Sequence, residues 1–168
     1  MTPPVSIILN PSSGAGNKPD AIKALLRENG LDAGIVEVAK GTDITALAMR
    51  LLRDGSHTLV AGGGDGTVSS VAAAVVQTQA LLGILPLGTL NHFAKDLKLP
   101  LDLAGAVRTL KTGTVRSVDL AEVNGRAFIN NSGLGLYASL VTQREKPIVR
   151  IKSAAAIRTP AFPSPRNW

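Results

Sequence analysis

The stretch Thr58-Leu59-Val60-Ala61-Gly62-Gly63-Gly64-Asp65-Gly66-Thr67 joins an apolar run to an alanine-rich one, and it decides the fold of this chain. The apolar run predicts a buried strand, and the alanine-rich run predicts a helix. A glycine loop between them lets backbone N–H groups converge on an anion at the helix start, where the helix dipole adds attraction. The stretch predicts a phosphate-binding loop, with a plain strand-to-helix turn as the alternative.

Asp65 and Thr67 make the chemistry of this loop more specific. A carboxylate would repel a bare polyphosphate, so Asp65 indicates that a cation accompanies the ligand, and Mg²⁺ with a nucleotide is the commonest such pair. Thr67 is expected to cap the following helix and to offer its hydroxyl to phosphate. The loop therefore predicts a nucleotide site whose ligand is accompanied by a cation such as Mg²⁺.

Two further glycine-bearing loops follow predicted strands. Asn10-Pro11-Ser12-Ser13-Gly14-Ala15-Gly16 comes after the apolar run at 5–9, and Pro86-Leu87-Gly88-Thr89-Leu90-Asn91-His92-Phe93-Ala94 comes after the run at 82–85. Because the carboxyl ends of parallel strands meet at one edge of a sheet, and ligands bind there, we expect all three loops to form one site.

These three loops, in this order and at these separations, resemble the catalytic domain of the diacylglycerol kinase family, which includes bacterial lipid kinases and the sphingosine and ceramide kinases. The resemblance covers roughly residues 5–141. It implies an α/β fold with a Rossmann-like parallel sheet and flanking helices, similar to the N-terminal domains of phosphofructokinase and NAD kinase. It also implies that the first strands of a truncated, β-rich second domain follow, beginning near Val118-Asp119-Leu120.

The resemblance implies a function as well: ATP-dependent phosphorylation of a lipid hydroxyl, such as diacylglycerol to phosphatidic acid, with ATP and Mg²⁺ as cofactors. Asp65 is the implied catalytic and metal-binding residue. The general base is either this aspartate or a carboxylate of the second domain. The implied nucleotide-binding residues are Asn10, Ser13, Gly14, Gly62, Gly63, Gly64, Gly66, Thr67, Thr89 and Asn91.

Two alternatives to a lipid kinase stay open at this point. One is a soluble small-molecule kinase of the NAD kinase or phosphofructokinase type, because those proteins share the Gly-Gly-Asp-Gly-Thr loop. The other is a non-catalytic nucleotide-binding fragment, because the family members are substantially longer than this chain. His92 also departs from the family pattern, since many members have aspartate there, and it changes the charge at the mouth of the site.

The charge of the chain is unevenly distributed. Its 18 Lys and Arg residues exceed its 12 Asp and Glu residues, and nearly all the excess lies after Gln143. This basic, proline-containing end predicts either a segment that contacts anionic lipid at a membrane surface or a disordered tail. The nearly neutral body with few aromatic residues argues against nucleic acid binding. We expect no transmembrane segment, a cytoplasmic protein with transient membrane association, and possible homo-oligomers.

The pattern of elements divides the chain into three parts: a nucleotide-binding α/β domain at 1–114, the start of a lipid-side β-rich domain at 115–143, and the basic tail at 144–168. In the first part, Thr42 is expected to cap the second helix and Asp102 a later one. In the second part, strands at 115–123 and 126–129 are expected to form an antiparallel hairpin through Asn124-Gly125. Its unpaired edge would favour self-association.

Overall fold

A computed structural model of the chain describes residues 4–14, 19–76, 78–123, 126–129 and 149–153. Helices and strands alternate through most of this range. The strands are β1 (Val5–Leu9), β2 (Gly34–Glu37), β3 (Thr58–Gly63), β4 (Leu81–Pro86), β5 (Arg116–Val123), β6 (Arg126–Phe128) and β7 (Val149–Ser153). The helices are α1 (Pro19–Glu28), α2 (Ile44–Arg53), α3 (Asp65–Val75), α4 (His92–Asp96) and α5 (Leu103–Thr112).

The strands form one sheet in the order β2-β1-β3-β4-β7-β5-β6. The first four strands are parallel to one another, which confirms the predicted Rossmann-like parallel sheet with flanking helices. β5 pairs antiparallel with β6, as the hairpin pattern predicts. The turn at Asn124-Gly125 lies outside the described residues.

Both faces of the parallel sheet are covered, because its strands are apolar at successive positions rather than at alternate ones. Ile7, Ile8 and Leu9 of β1 are all fully buried. Ile8 belongs to a cluster with residues of α2 and α3, whereas Ile7 and Leu9 pack with residues of α1 and α5. Continuous apolar runs of this kind are typical of parallel strands covered by helices on both sides.

Two of the helices, α2 and α5, have an aspartate as their N-cap. Asp102 caps α5 as expected, because its carboxylate accepts a hydrogen bond from Gly105 N at 2.7 Å. The predicted cap of α2 is wrong by one residue: Asp43, rather than Thr42, is the N-cap, and its carboxylate accepts from Ala46 N at 2.9 Å. Aspartate is at least as good a cap as threonine, so the following residue takes this role.

Part of the basic end, for which a disordered tail is one of the two expectations, is a strand in the sheet. Val149–Ser153 forms β7, which pairs parallel with β4 and antiparallel with β5. Its sequence alternates apolar β-branched residues with basic ones, a pattern that suits a strand even in a proline-containing region. The other residues of 144–168 lie outside the described part. Among the described residues, no helix is long and apolar enough to span a lipid bilayer.

Candidate functional site

The three glycine-bearing loops start level with one another at the carboxyl edge of the parallel sheet. Leu9 at the end of β1 is in register with Gly62 of β3, and Gly63 is in register with Pro86 at the end of β4. We call the segments that follow these three strands the first loop (residues 10–14), the second loop (residues 64–67) and the third loop (residues 87–91). The parallel register places them side by side, as the sequence predicts.

The first and third loops touch through the backbone. Gly14 has a φ of +73°, and a side chain there would overlap the carbonyl oxygen of Leu87. Two separate features therefore require glycine at this position: its left-handed backbone conformation and the close approach of the third loop. Within the first loop, Asn10 Oδ1 accepts a hydrogen bond from Ser12 N at 3.1 Å, which tightens the turn.

The second and third loops are in even closer contact. Leu87 N donates a hydrogen bond to Gly63 O at 3.0 Å. A Cβ added at Gly88 would lie 2.5 Å from the Cα of Gly64 and 3.2 Å from its nitrogen. The two backbones can pass this closely because residue 88 is a glycine, whereas a Cβ added at Gly64 would lie at an ordinary contact distance of 3.4 Å from the Cα of Gly88. The three loops therefore form one continuous backbone surface.

The start of α3 lies within this surface and has no side-chain cap. Gly64 is the N-cap residue, and its extended backbone carries no side chain that could accept from the first-turn N–H groups. Gly66 is exposed, and a Cβ added there would meet nothing within 4 Å. An open helix start of this kind presents N–H groups and a positive dipole end to an anion.

Thr67 does not cap α3, and this part of the sequence prediction is wrong. It lies inside the first turn of α3, after the N-cap Gly64, and only 4% of its surface is exposed. Its hydroxyl oxygen accepts a hydrogen bond from Asn10 Nδ2 at 3.2 Å. The Asn10 and Thr67 side chains therefore join the first loop to α3 across the site.

Asn91 uses its side chain within the third loop. Its backbone is left-handed, with φ of 50° and ψ of 47°. Its amide nitrogen donates to the carbonyl oxygens of Pro86 at 3.2 Å and Gly88 at 2.7 Å, and its Oδ1 accepts from Gly88 N at 2.9 Å. Both N–H groups of the amide are thus occupied by the loop. The geometry gives Asn91 a role in shaping the loop.

Asp65 joins α3 to the residues that follow the third loop. Its Oδ2 accepts a hydrogen bond from His92 N and its Oδ1 accepts one from Phe93 N, each at 3.0 Å. These two N–H groups belong to the first turn of α4, so a carboxylate from α3 caps a helix that begins 27 residues later. Sequence reasoning missed this contact because nothing in the local pattern shows which distant N–H groups will meet Asp65.

Three further residues lie around the edge of the site. Thr89 is exposed in the third loop, and the side chain of His92 is exposed at the start of α4. Ser13 is half-buried, and its N–H donates to Asn10 O at 3.1 Å. The structure thus brings every predicted site residue to one edge of the sheet. Some of their polar groups are used in hydrogen bonds with one another, such as the bond between Asn10 and Thr67.

Comparison with known proteins gives this arrangement a family. The sequence profile of the diacylglycerol kinase catalytic domain matches residues 4–123. The chain belongs to this family. It is 35% identical to a probable lipid kinase YegS-like protein of Klebsiella pneumoniae over 143 aligned residues. The alignment covers 83% of this chain and 48% of that relative. It is also 35% identical over 130 residues to a diacylglycerol kinase of Staphylococcus saprophyticus, covering 74% and 42% respectively.

Solved structures agree with the assignment. A diacylglycerol kinase from Bacillus anthracis superposes with a TM-score of 0.65 and 27% sequence identity, over 75% of this chain and 45% of that one. The resemblance that the three loops indicate is therefore confirmed, and so is the α/β fold that it implies. The chain spans about half the length of the curated relatives that it matches.

Membership of the family implies Mg²⁺ as a cofactor, and Asp65 is the residue predicted from the sequence to bind it. The described part of the chain contains no group of three or more His, Cys, Asp or Glu side chains that could hold a metal ion. Mg²⁺, however, usually keeps several waters and binds through one or two carboxylates together with substrate phosphates. Each Asp65 oxygen accepts one N–H bond and keeps a second lone pair. Asp65 therefore fits an ion that phosphates hold and that the carboxylate reaches through water.

Proposed function

We propose that this chain forms the nucleotide-binding half of an ATP-dependent lipid kinase that phosphorylates a lipid hydroxyl, such as that of diacylglycerol, to give phosphatidic acid. The observation that carries the proposal is the convergence of three backbone loops on the uncapped start of α3. Family membership supports the reaction class, and the names of the relatives support the lipid as acceptor. Residues 1–114 are assigned to nucleotide binding and residues 115–143 to the start of the lipid side.

In this proposal the backbone binds the phosphates, and the side chains hold the backbone in place. The N–H groups at the start of α3 bind phosphate oxygens, where the helix dipole favours negative charge. Gly62 and Gly63 leave room for neighbouring side chains, those of Leu9 and Thr67 respectively. Gly64 is the N-cap without a side chain, and the exposed Gly66 leaves the approach to the helix start open. Ser13 and Thr89 contribute hydroxyl groups from either side.

Phosphoryl transfer asks the protein mainly for positioning and for neutralisation of charge. Mg²⁺, when bound, would supply neutralisation of the charge that develops on the phosphates. Asp65 would hold that ion, directly or through water. Its carboxylate is a poor candidate for the general base, because each oxygen gives one lone pair to a backbone hydrogen bond and we assign the other to the ion or its water. We therefore assign the base to the lipid side of the complete kinase.

Contact with a membrane surface is a second part of the proposal. Six basic residues and one acidic residue lie after Gln143, and each basic residue near an anionic bilayer contributes about 1 kcal/mol. We place the protein in the cytoplasm, with transient attachment to lipid. In the part of the chain that the structure describes, β6 is the last strand on one side of the sheet, and we add self-association through that edge to the proposal.

The test separates binding from turnover. The 168-residue chain should bind Mg²⁺-ATP in a calorimetric titration but should phosphorylate diacylglycerol negligibly, because half of a cleft neither aligns the acceptor nor excludes water. Activity should appear when a complete second domain is fused to the chain. Robust lipid phosphorylation by the purified chain would overturn the half-site proposal, and an absence of nucleotide binding would overturn the function. Parallel assays with NAD and fructose 6-phosphate as acceptors test the small-molecule alternative.

A further inference from the structure

The position of Asp65 raises a question about charge. A carboxylate at the start of α3 stands beside the N–H groups that are proposed to bind phosphate, and an anion in an anion site is unfavourable unless something offsets it. The structure shows what offsets it: two backbone N–H groups, of His92 and Phe93, point at the carboxylate oxygens from 3.0 Å. Charge-assisted hydrogen bonds of this kind are stronger than neutral ones.

The same two bonds supply a cap that α4 otherwise lacks. Asn91 is the N-cap residue of α4, but it is left-handed and makes no side-chain cap hydrogen bond. Its amide is engaged inside the third loop with Pro86 and Gly88. The carboxylate of Asp65 therefore takes over a task that is usually performed by the residue next to the helix. We call this pair of hydrogen bonds the Asp65 latch.

We propose that Asp65 is a positioning residue whose latch fixes the third loop against the start of α3, so that the phosphate-binding surface is formed before any metal or nucleotide arrives. The inference rests on the proposed function above. It adds to the metal role, because it gives Asp65 an effect on nucleotide binding that does not require Mg²⁺. The lone pairs that the latch leaves free are the ones that can meet a water on the ion.

Amide hydrogen exchange of the nucleotide-free chain tests the latch directly. In the Asp65→Ala variant, the amides of His92 and Phe93 should exchange at least tenfold faster than in the unmodified chain. Asp65→Asn keeps one acceptor oxygen and should give an intermediate increase. The matched control is Asp43→Ala, which removes a similar aspartate cap at the start of α2 and belongs to none of the three loops. It should speed exchange at Ala46 and leave His92 unchanged.

Nucleotide binding in EDTA tests the consequence. Loss of the latch should weaken binding of ADP without metal by at least threefold in Asp65→Ala, although removal of a negative charge would by itself strengthen it. Asp43→Ala should bind as the unmodified chain does. Equal or tighter ADP binding by Asp65→Ala in EDTA would overturn the proposal, and so would unchanged exchange at His92 and Phe93. If the unmodified chain binds no nucleotide at all, the proposed function fails, while the exchange measurement still decides whether the latch exists.

Discussion

Gly66 offers the sharpest test of the phosphate-binding surface, because nothing inside the described chain requires a glycine there. It is the second residue of α3, its φ is not positive, and an added Cβ would meet nothing within 4 Å. The Gly66→Ala change should therefore stabilise the fold through helix propensity alone. The expected gain is up to about 1 kcal/mol, and since the site is at the helix start, the lower part of that range is expected.

That gain corresponds to a rise in melting temperature of about 1 to 4 °C for a domain of this size. Binding should move in the opposite direction. If the exposed start of α3 faces the phosphates, a methyl group there occupies space that the ligand needs, and we expect at least a tenfold loss of affinity for Mg²⁺-ADP. Thermal unfolding by circular dichroism and calorimetric titration of the same preparation measure both effects.

Gly83→Ala is the matched control for this experiment. Its Cβ would lie 2.7 Å from Leu110 Cδ2 and 2.9 Å from Val60 Cγ2, inside the core and away from the three loops. It should lower the melting temperature and leave the affinity of the folded protein unchanged. Unchanged affinity in Gly66→Ala would refute the idea that this N–H region approaches the ligand. A fall in its melting temperature would refute the helical geometry on which the reasoning rests.

Of three further predictions, two concern contacts among the loops and one concerns the basic end of the chain. Gly88→Ala should lower nucleotide affinity sharply, because its Cβ would lie 2.5 Å from the Cα of Gly64; titration at equal Mg²⁺ checks this, and wild-type affinity would contradict the close packing. Thr67→Val should cost about 1 kcal/mol of unfolding free energy in urea, because Asn10 Nδ2 loses its acceptor; unchanged stability would count against that hydrogen bond. Binding to vesicles of anionic lipid should weaken with salt, and it should weaken further when the basic residues outside β7 are changed to glutamine; binding that ignores both changes would remove the membrane role from this segment. Those residues are Arg144, Lys146, Arg158 and Arg166.

Much of the fold could be predicted because its signals are local. The apolar run of β1 indicates a strand buried on both faces. The side chain of Asp102 indicates the start of α5, because aspartate is a common N-cap residue. The site could also be located, since each of its loops follows a parallel strand. What could not be predicted is which partner each polar side chain finds. Thr67 has cap chemistry, but burial and Asn10 decide what it binds.

The basic end shows the opposite case. In its sequence, the overall composition hides a short local signal for a strand. Prolines and uncompensated positive charge favour a tail without regular structure. Val149–Ser153 nevertheless alternates apolar and polar residues, and it pairs on both sides within the sheet. Five residues are too few for such a pattern to stand out in sequence, because the stability of a strand comes from neighbours that the sequence does not identify.

The division of labour in the site has a consequence for specificity. Asn10 and Asn91 direct their polar atoms to other parts of the site, and Asp65 accepts from the start of α4, which leaves mainly backbone N–H groups to meet the phosphates. Backbone N–H groups recognise phosphate and are indifferent to the base of the nucleotide. The loops by themselves should therefore bind Mg²⁺-ADP and Mg²⁺-GDP with similar affinity. Preference for adenine must then come from residues other than these loops, and a strong preference in the isolated chain would show that one of the exposed side chains, such as His92, contributes to base recognition.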